Sequence, residues 1–98
     1  MTITKTQNET VLTVALEGRL DTTTAPDLER ELKASVEGAE CLIVDCGKLG
    51  YISSAGLRVL LWAHKAMVGK KGMKVIRANE IVREVFDVTG FSDILNIE

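Results

Sequence analysis

The stretch that decides the fold is CLIVDCGKLGYISSAGLRVLL, residues 41–61. It opens on CLIVDC, a short and nearly continuous apolar run closed by Gly47. A run of that length and composition fits a buried interior strand of a parallel sheet. Asp45 closes that strand and reads as a solvated strand end. The segment GKLGYISSAG then forms a loop, and Ser53 and Ser54 stand at the start of a strongly apolar helix, where a hydroxyl is an ordinary N-cap. Leu57, Leu60, Leu61, His64 and Val68 define one face of the helix, and Arg58 and Lys65 lie on another. Gly69 and Gly72 mark its end.

Upstream, ITKTQ and TVLTVALEG form two strands joined by a turn at Asn8 and Glu9. Leu12, Val14 and Leu16 alternate with Thr13, Ala15 and Glu17, the period of a half-buried strand. DTTTAPDLERELKASVEG, residues 21–38, forms a helix. Thr24 is the expected N-cap, Pro26 sits in the first turn, and Asp27 and Glu29 complement the positive helix end. Ala25, Leu28, Leu32 and Val36 recur at helical spacing, and Gly38 stops the helix. Downstream, MKVIRA is a short strand. NEIVREVFDVTG is a third helix with Asn79 as cap, Val82, Val85 and Phe86 inward and Gly90 as stop. DILNIE is a last short strand or a docked tail.

The order β-β-α-β-α-β-α-(β) specifies an α/β fold. The sheet is mostly parallel, has four or five strands and an antiparallel edge strand, and carries the helices packed on it. Sites in such sheets gather beyond the carboxyl ends of the strands. The loops GRLDTTT and GKLGYISSAG both fall there, which brings Asp21 and Ser54 together.

Composition narrows the function. The 98 residues suit one domain, expected to span 1–98, and 46% apolar residues suffice for its core. Only 4% are aromatic, so that core is aliphatic. A net charge of −2 offers no basic face for direct nucleic acid binding. MTITKTQNETV lacks the apolar stretch of a secretory signal, and no apolar run nears the ~20 residues of a membrane span. The expectation is a cytoplasmic protein without membrane insertion. Cys41 and Cys46 lie five apart on one strand and so point to opposite faces. With no CxxC and a single histidine, ligands for a metal are lacking, and none is expected.

Catalytic readings fail on geometry. A G-x-S-x-G elbow centred on Ser54 lacks its first glycine. His64, the one histidine, lies ten residues along the same helix, a rise of ~15 Å, against the ~3 Å that proton transfer needs. GKKG, residues 69–72, is not a phosphate-binding loop; its lysines offset the dipole of the helix that they follow. Trp62 sits off the main apolar stripe and either packs on a neighbouring helix or belongs to a partner surface.

A hydroxyl that cannot attack can still accept a phosphate, and the start of a helix favours an anion. Three segments, VALEGRLDTTTAPDLERELK, LIVDCGKLGYISSAGLRVLL and GMKVIRANEIVREVFDVTGFSDILNIE, together resemble the STAS domain family, in particular its free-standing bacterial anti-sigma factor antagonists. The resemblance implies a non-enzymatic, cofactor-free protein-binding switch that regulates sigma-factor-dependent transcription. Its implied partners are an anti-sigma factor that is a serine kinase with a histidine-kinase-like ATPase fold, and a PP2C-type phosphatase. It implies Ser54 as the phosphoacceptor, with Ser53 a minor alternative. The implied partner-binding surface comprises Asp21, Thr22, Thr23, Ser53, Ser54, Ala55, Gly56 and Arg58. Gly56 would allow a partner's close approach, and Arg58, at i+4 from Ser54, is placed to pair with a phosphate. The family motif often reads Asp-Ser-Ser/Thr-Gly. Here Ser53 replaces the aspartate and Ala55 the second hydroxyl residue. These departures leave an alternative: a STAS module independent of phosphorylation, acting as a small-ligand sensor or as a subunit of a transport or signalling complex.

Overall fold

Strand β1 (Thr2–Asn8) runs antiparallel to β2 (Val11–Leu20), and the reversal places Glu9 at φ 57°. The computed structural model describes all 98 residues, Met1–Glu98. After β2 come α1 (Ala25–Ser35), a 3-10 turn (Val36–Gly38), β3 (Cys41–Ile52), α2 (Ser54–Met67), β4 (Met73–Ile76), α3 (Glu80–Thr89), a second 3-10 turn (Phe91–Asp93) and β5 (Asn96–Ile97). The sheet order is β1-β2-β3-β4-β5, and every pair after the first is parallel. The tail DILNIE therefore supplies a fifth strand.

The core lies between one face of this sheet and the three helices. Leu12, Val14, Leu16, Leu42, Val44 and Val75 from the strands form one cluster with Leu28, Leu32, Leu60, Met67, Val82 and Phe86 from the helices. Alternate residues of the central strands, among them Thr13, Ala15, Cys41 and Ile43, are only half-buried. The apolar run 41–46 is thus an interior strand covered on one side, not a strand buried on both.

The structure extends β3 well beyond its expected end. Gly47 and Gly50 do not open a loop. They sit at two register shifts, where β3 takes an extra residue opposite Leu16 and another opposite the step from Gly18 to Arg19. Such bulges are uncommon in parallel pairs and often need glycine. Asp45 is consequently a mid-strand residue, and Lys48 belongs to the strand as well.

Helix α1 buries Ala25, Leu28 and Leu32, and Val36 continues the stripe into the 3-10 turn. Asn79 caps α3 by accepting from the Val82 N–H at 2.9 Å, and Gly90 ends it at φ 82°. Helix α2 is rotated from the expected orientation. Its inward residues are Gly56, Leu57, Val59, Leu60, Ala63 and Met67. Leu61 and His64 flank that stripe half-buried, and Val68 is 68% exposed. Lys70 also acts elsewhere than expected. Its ammonium donates to the carbonyls of Val36, Glu37 and Ala39 at 2.8, 3.0 and 2.7 Å. It neutralises the carboxyl end of the neighbouring helix rather than its own.

Candidate functional site

The site begins where β2 and β3 end. Leu20 and Ile52 are paired across the sheet, and the Ser53 N–H donates to the Leu20 carbonyl at 2.9 Å. The two chains therefore leave the sheet side by side, and the next residues are Asp21 on one and Ser53 and Ser54 on the other. The sequence placed Asp21 and Ser54 on one rim, and the strand register puts their loops there.

Asp21 is fixed. Its Oδ1 accepts from the Thr23 hydroxyl at 2.8 Å, the Thr23 N–H at 3.0 Å and the Thr24 N–H at 3.2 Å. The Thr23 hydroxyl bond, with help from the two N–H groups and against some desolvation, holds the carboxyl below the usual aspartate range. Thr24 occupies the N-cap of α1 without making the side-chain cap bond. Its hydroxyl accepts from the Asp21 N–H at 2.8 Å and donates to the Arg19 carbonyl at 2.8 Å. The Asp21 side chain thus braces the turn before α1, and its backbone carbonyl, which accepts from the Ala25 N–H at 2.8 Å, ties that turn to the helix. Beside it, Arg19 lies over the Tyr51 ring at 4.2 Å and its Nε is 3.7 Å from Asp21 Oδ2.

The two serines are inequivalent. Ser54 is exposed as the first residue of α2. Ser53 is half-buried, and its Oγ is shielded from solvent and has no hydrogen-bond partner. It makes no side-chain cap, and the first turn of α2 carries no acidic residue. A shielded oxygen cannot meet an incoming phosphoryl group, so this conformation does not offer Ser53 as the minor acceptor.

Thr22, Thr23 and Arg58 are exposed on the same rim and Ala55 is half-buried. A shallow groove of about 390 Å³ runs from here between α1 and α2, with Thr22, Ala25 and Glu29 on one side and Ala55, Arg58 and Trp62 on the other. Trp62 is half-buried against the core, with the Lys33 ammonium of α1 5.5 Å from its ring centre, so it packs on the neighbouring helix. Gly56 departs from its expected role. It is buried, and a Cβ there would lie 2.6 Å from Leu20 Cγ and 3.1 Å from Ile52 Cγ1. Its missing side chain makes room for the protein's own core and not for a partner.

Sequence reasoning missed a second constellation, on the open face of the sheet. Arg77 reaches Asp45 through two bonds, Nε to Oδ1 at 3.0 Å and Nη2 to Oδ2 at 2.9 Å. The guanidinium, seconded by the Gly47 N–H, lowers the pKa of Asp45. A Cβ at Gly47 would lie 2.8 Å from the guanidinium carbon, so a side chain there would push the Arg77 head aside. Arg77 itself adopts φ 60°, a left-handed conformation with no signature in the sequence. The open face shows no buried cysteine: Cys46 points into the core, where burial, and secondarily the Asp45 charge, push its thiol up to about 12. Helix α2 is unbroken from Ser54 to Met67, which keeps His64 away from the serine. No three His, Cys, Asp or Glu side chains gather as metal ligands, and no helix is long and apolar enough to cross a membrane.

Comparison with known proteins agrees along the whole chain. The STAS domain family model matches residues 2–98. BtrV of Bordetella bronchiseptica, provisionally named an anti-sigma factor antagonist, is 37% identical over 99% of this chain and 85% of its own. The anti-sigma-B factor antagonist of Bacillus subtilis is 33% identical over 93% of this chain and 84% of its own. Among solved structures, an anti-sigma factor antagonist from Mycobacterium paratuberculosis superposes with a TM-score of 0.90 at 24% identity, over 98% of this chain and 83% of that one. The Bacillus cell fate determinant SpoIIAA, solved in its phosphorylated form, shares the fold with a TM-score of 0.77 at 14% identity, over 99% and 91%.

Proposed function

Because this chain belongs to the STAS domain family, we propose that it is an anti-sigma factor antagonist whose binding is switched by phosphorylation of Ser54. In this reading the unmodified rim binds an anti-sigma factor, which is also a serine kinase with a histidine-kinase-like ATPase fold, and so frees a sigma factor. The kinase then modifies Ser54. The Oγ attacks the γ-phosphorus of ATP, the bond to the β,γ-bridging oxygen breaks, ADP leaves, and the hydroxyl proton passes to a base on the kinase. A PP2C-type phosphatase reverses the step, with water attacking phosphorus and inorganic phosphate leaving. The phosphate adds about −1.5 to −2 charges to the rim, which expels the partner by charge and bulk without unfolding the domain.

The observation that carries this reading is the contrast between the two serines. Ser54 is exposed at the head of α2 on the rim that Asp21 shares, whereas the Ser53 Oγ is shielded. The cognate kinase and ATP, followed by mass spectrometry, should place one phosphate on Ser54. Ser54→Ala should abolish it and Ser53→Ala should not. If Ser54→Ala and Ser54→Asp both bind the partner like the parent protein, the protein is a phosphorylation-independent module and the switch is wrong.

A further inference from the structure

On the rim around Ser54, two arginines differ in what holds them. Arg19 is engaged, stacked on Tyr51 and near Asp21. Arg58 is exposed and makes no hydrogen bond to the protein and no ion pair with it. Glu29, across the groove, does not compensate it, because that carboxylate pairs with Lys33 at 3.3 Å. Asp21 does not either; the Thr23 and Thr24 bonds pin it on its own loop. Arg58 is therefore a free cation one turn along α2 from the Ser54 hydroxyl, on the same helical face.

The geometry points to Arg58 as the internal counter-ion of the phosphate on Ser54, an inference that rests on the phosphorylation reading above. Residues four apart on a helix are surface neighbours, and a guanidinium meets phosphate oxygens through paired N–H donors. The head of α2 lacks a side-chain cap and an acid in its first turn, so no protein anion competes for this cation. Modification then changes the rim twice: it adds an anion beside the groove, and it withdraws the one uncompensated arginine that a partner's carboxylate would meet there. Arg58 is a positioning residue in this scheme and takes no part in phosphoryl transfer.

The test uses full-length protein carrying phosphoserine at position 54, installed during translation so that no kinase is needed. Phosphorus NMR then follows the second ionisation of the phosphate against pH. An exposed i,i+4 ion pair corresponds to a shift of about 0.3 in pKa. Arg58→Ala should raise the phosphoserine pKa by about that amount, Arg58→Lys should restore most of it, and the difference should vanish in about 1 M salt. The helix terminus acts equally in all three proteins, so it drops out of the comparison. Equal pKa values for the parent and Arg58→Ala at low salt would overturn the assignment, whatever the kinase assay shows. A failed kinase assay beside a shifted pKa would leave the pairing intact and refute the switch.

Discussion

Substituting Gly56 by alanine pits two known effects against each other at the base of the site. In a helix interior, alanine is favoured over glycine by about 1 kcal/mol. Here the added methyl would lie 2.6 Å from Leu20 Cγ, 2.9 Å from Leu20 Cδ2 and 3.1 Å from Ile52 Cγ1. Leu20 is fully buried and Ile52 nearly so, and the closest atom is a branch point rather than a flexible tip. Relief needs a new Leu20 rotamer in a filled core, and overpacking of this kind costs about 1–3 kcal/mol. Contact with a branch point in a filled core puts the cost toward the upper end of that range, so repulsion wins and Gly56→Ala should lose up to about 2 kcal/mol. For a domain of this size the upper figure is a fall in Tm of about 8–16 °C. Urea unfolding followed by circular dichroism gives the free energy. The decisive comparison repeats the substitution in a Leu20→Ala background, where the obstructing side chain is gone. There the helix preference should prevail and Gly56→Ala should stabilise, a coupling well above the additivity error of about 0.5 kcal/mol. An equal penalty in both backgrounds, or a stabilised single variant, would refute the steric account of this glycine and reopen its role at a partner surface.

Three further outcomes follow from the same contacts. Lys70→Met leaves the carbonyls of Val36, Glu37 and Ala39 without their ammonium and should lower the unfolding free energy by about 1–3 kcal/mol, measured by urea titration. The Asp45 carboxyl has a folded pKa below its unfolded value of 3.8 because Arg77 holds its charged form, so its contribution is present in full above about pH 4 and disappears as pH falls through the lower folded value. Asp45→Asn should thus be less stable than the parent at pH 7, by an amount reduced by the solvent exposure of Arg77, and the gap should narrow progressively in urea titrations carried below about pH 4; a gap that widens in acid would reverse the sign. In native protein at pH 8 a thiol reagent should modify the half-exposed Cys41 and spare Cys46, buried and raised to about 12, until urea is added.

The strand and helix order, the antiparallel first pair, the inward residues of α1 and α3 and the cap at Asn79 were legible because each rests on a local signal: a period, a turn residue or a capping side chain. The orientation of α2 was harder to read, since apolar residues run almost all round it from Leu57 to Val68, and packing against α1 decides which stripe is buried. Long-range roles left no local trace. Lys70 finds three carbonyls beyond the sequence horizon, and Arg77 adopts a left-handed conformation to reach Asp45.

The misread end of β3 has a more specific cause, and it bears on the site. The buried residues of β3 are Leu42, Val44, Cys46, Leu49 and Ile52. They alternate as a strand should up to Cys46 and then fall three apart, because an extra residue enters before each of the last two. A period-2 template stops matching there, and Gly47 and Gly50 then look like turn signals. The same two insertions let β3 bring Ile52 level with Leu20. If the same sequence ran on without the bulges, Leu49 would turn to the open face, Leu20 would pair with Gly50 in place of Ile52, and Ser54 would leave the sheet two residues out of step with Asp21. The glycines that disguise the strand as a loop are therefore where this sequence takes up its two extra residues, and so part of what keeps Leu49 and Ile52 inward and the serine beside the Asp21 loop.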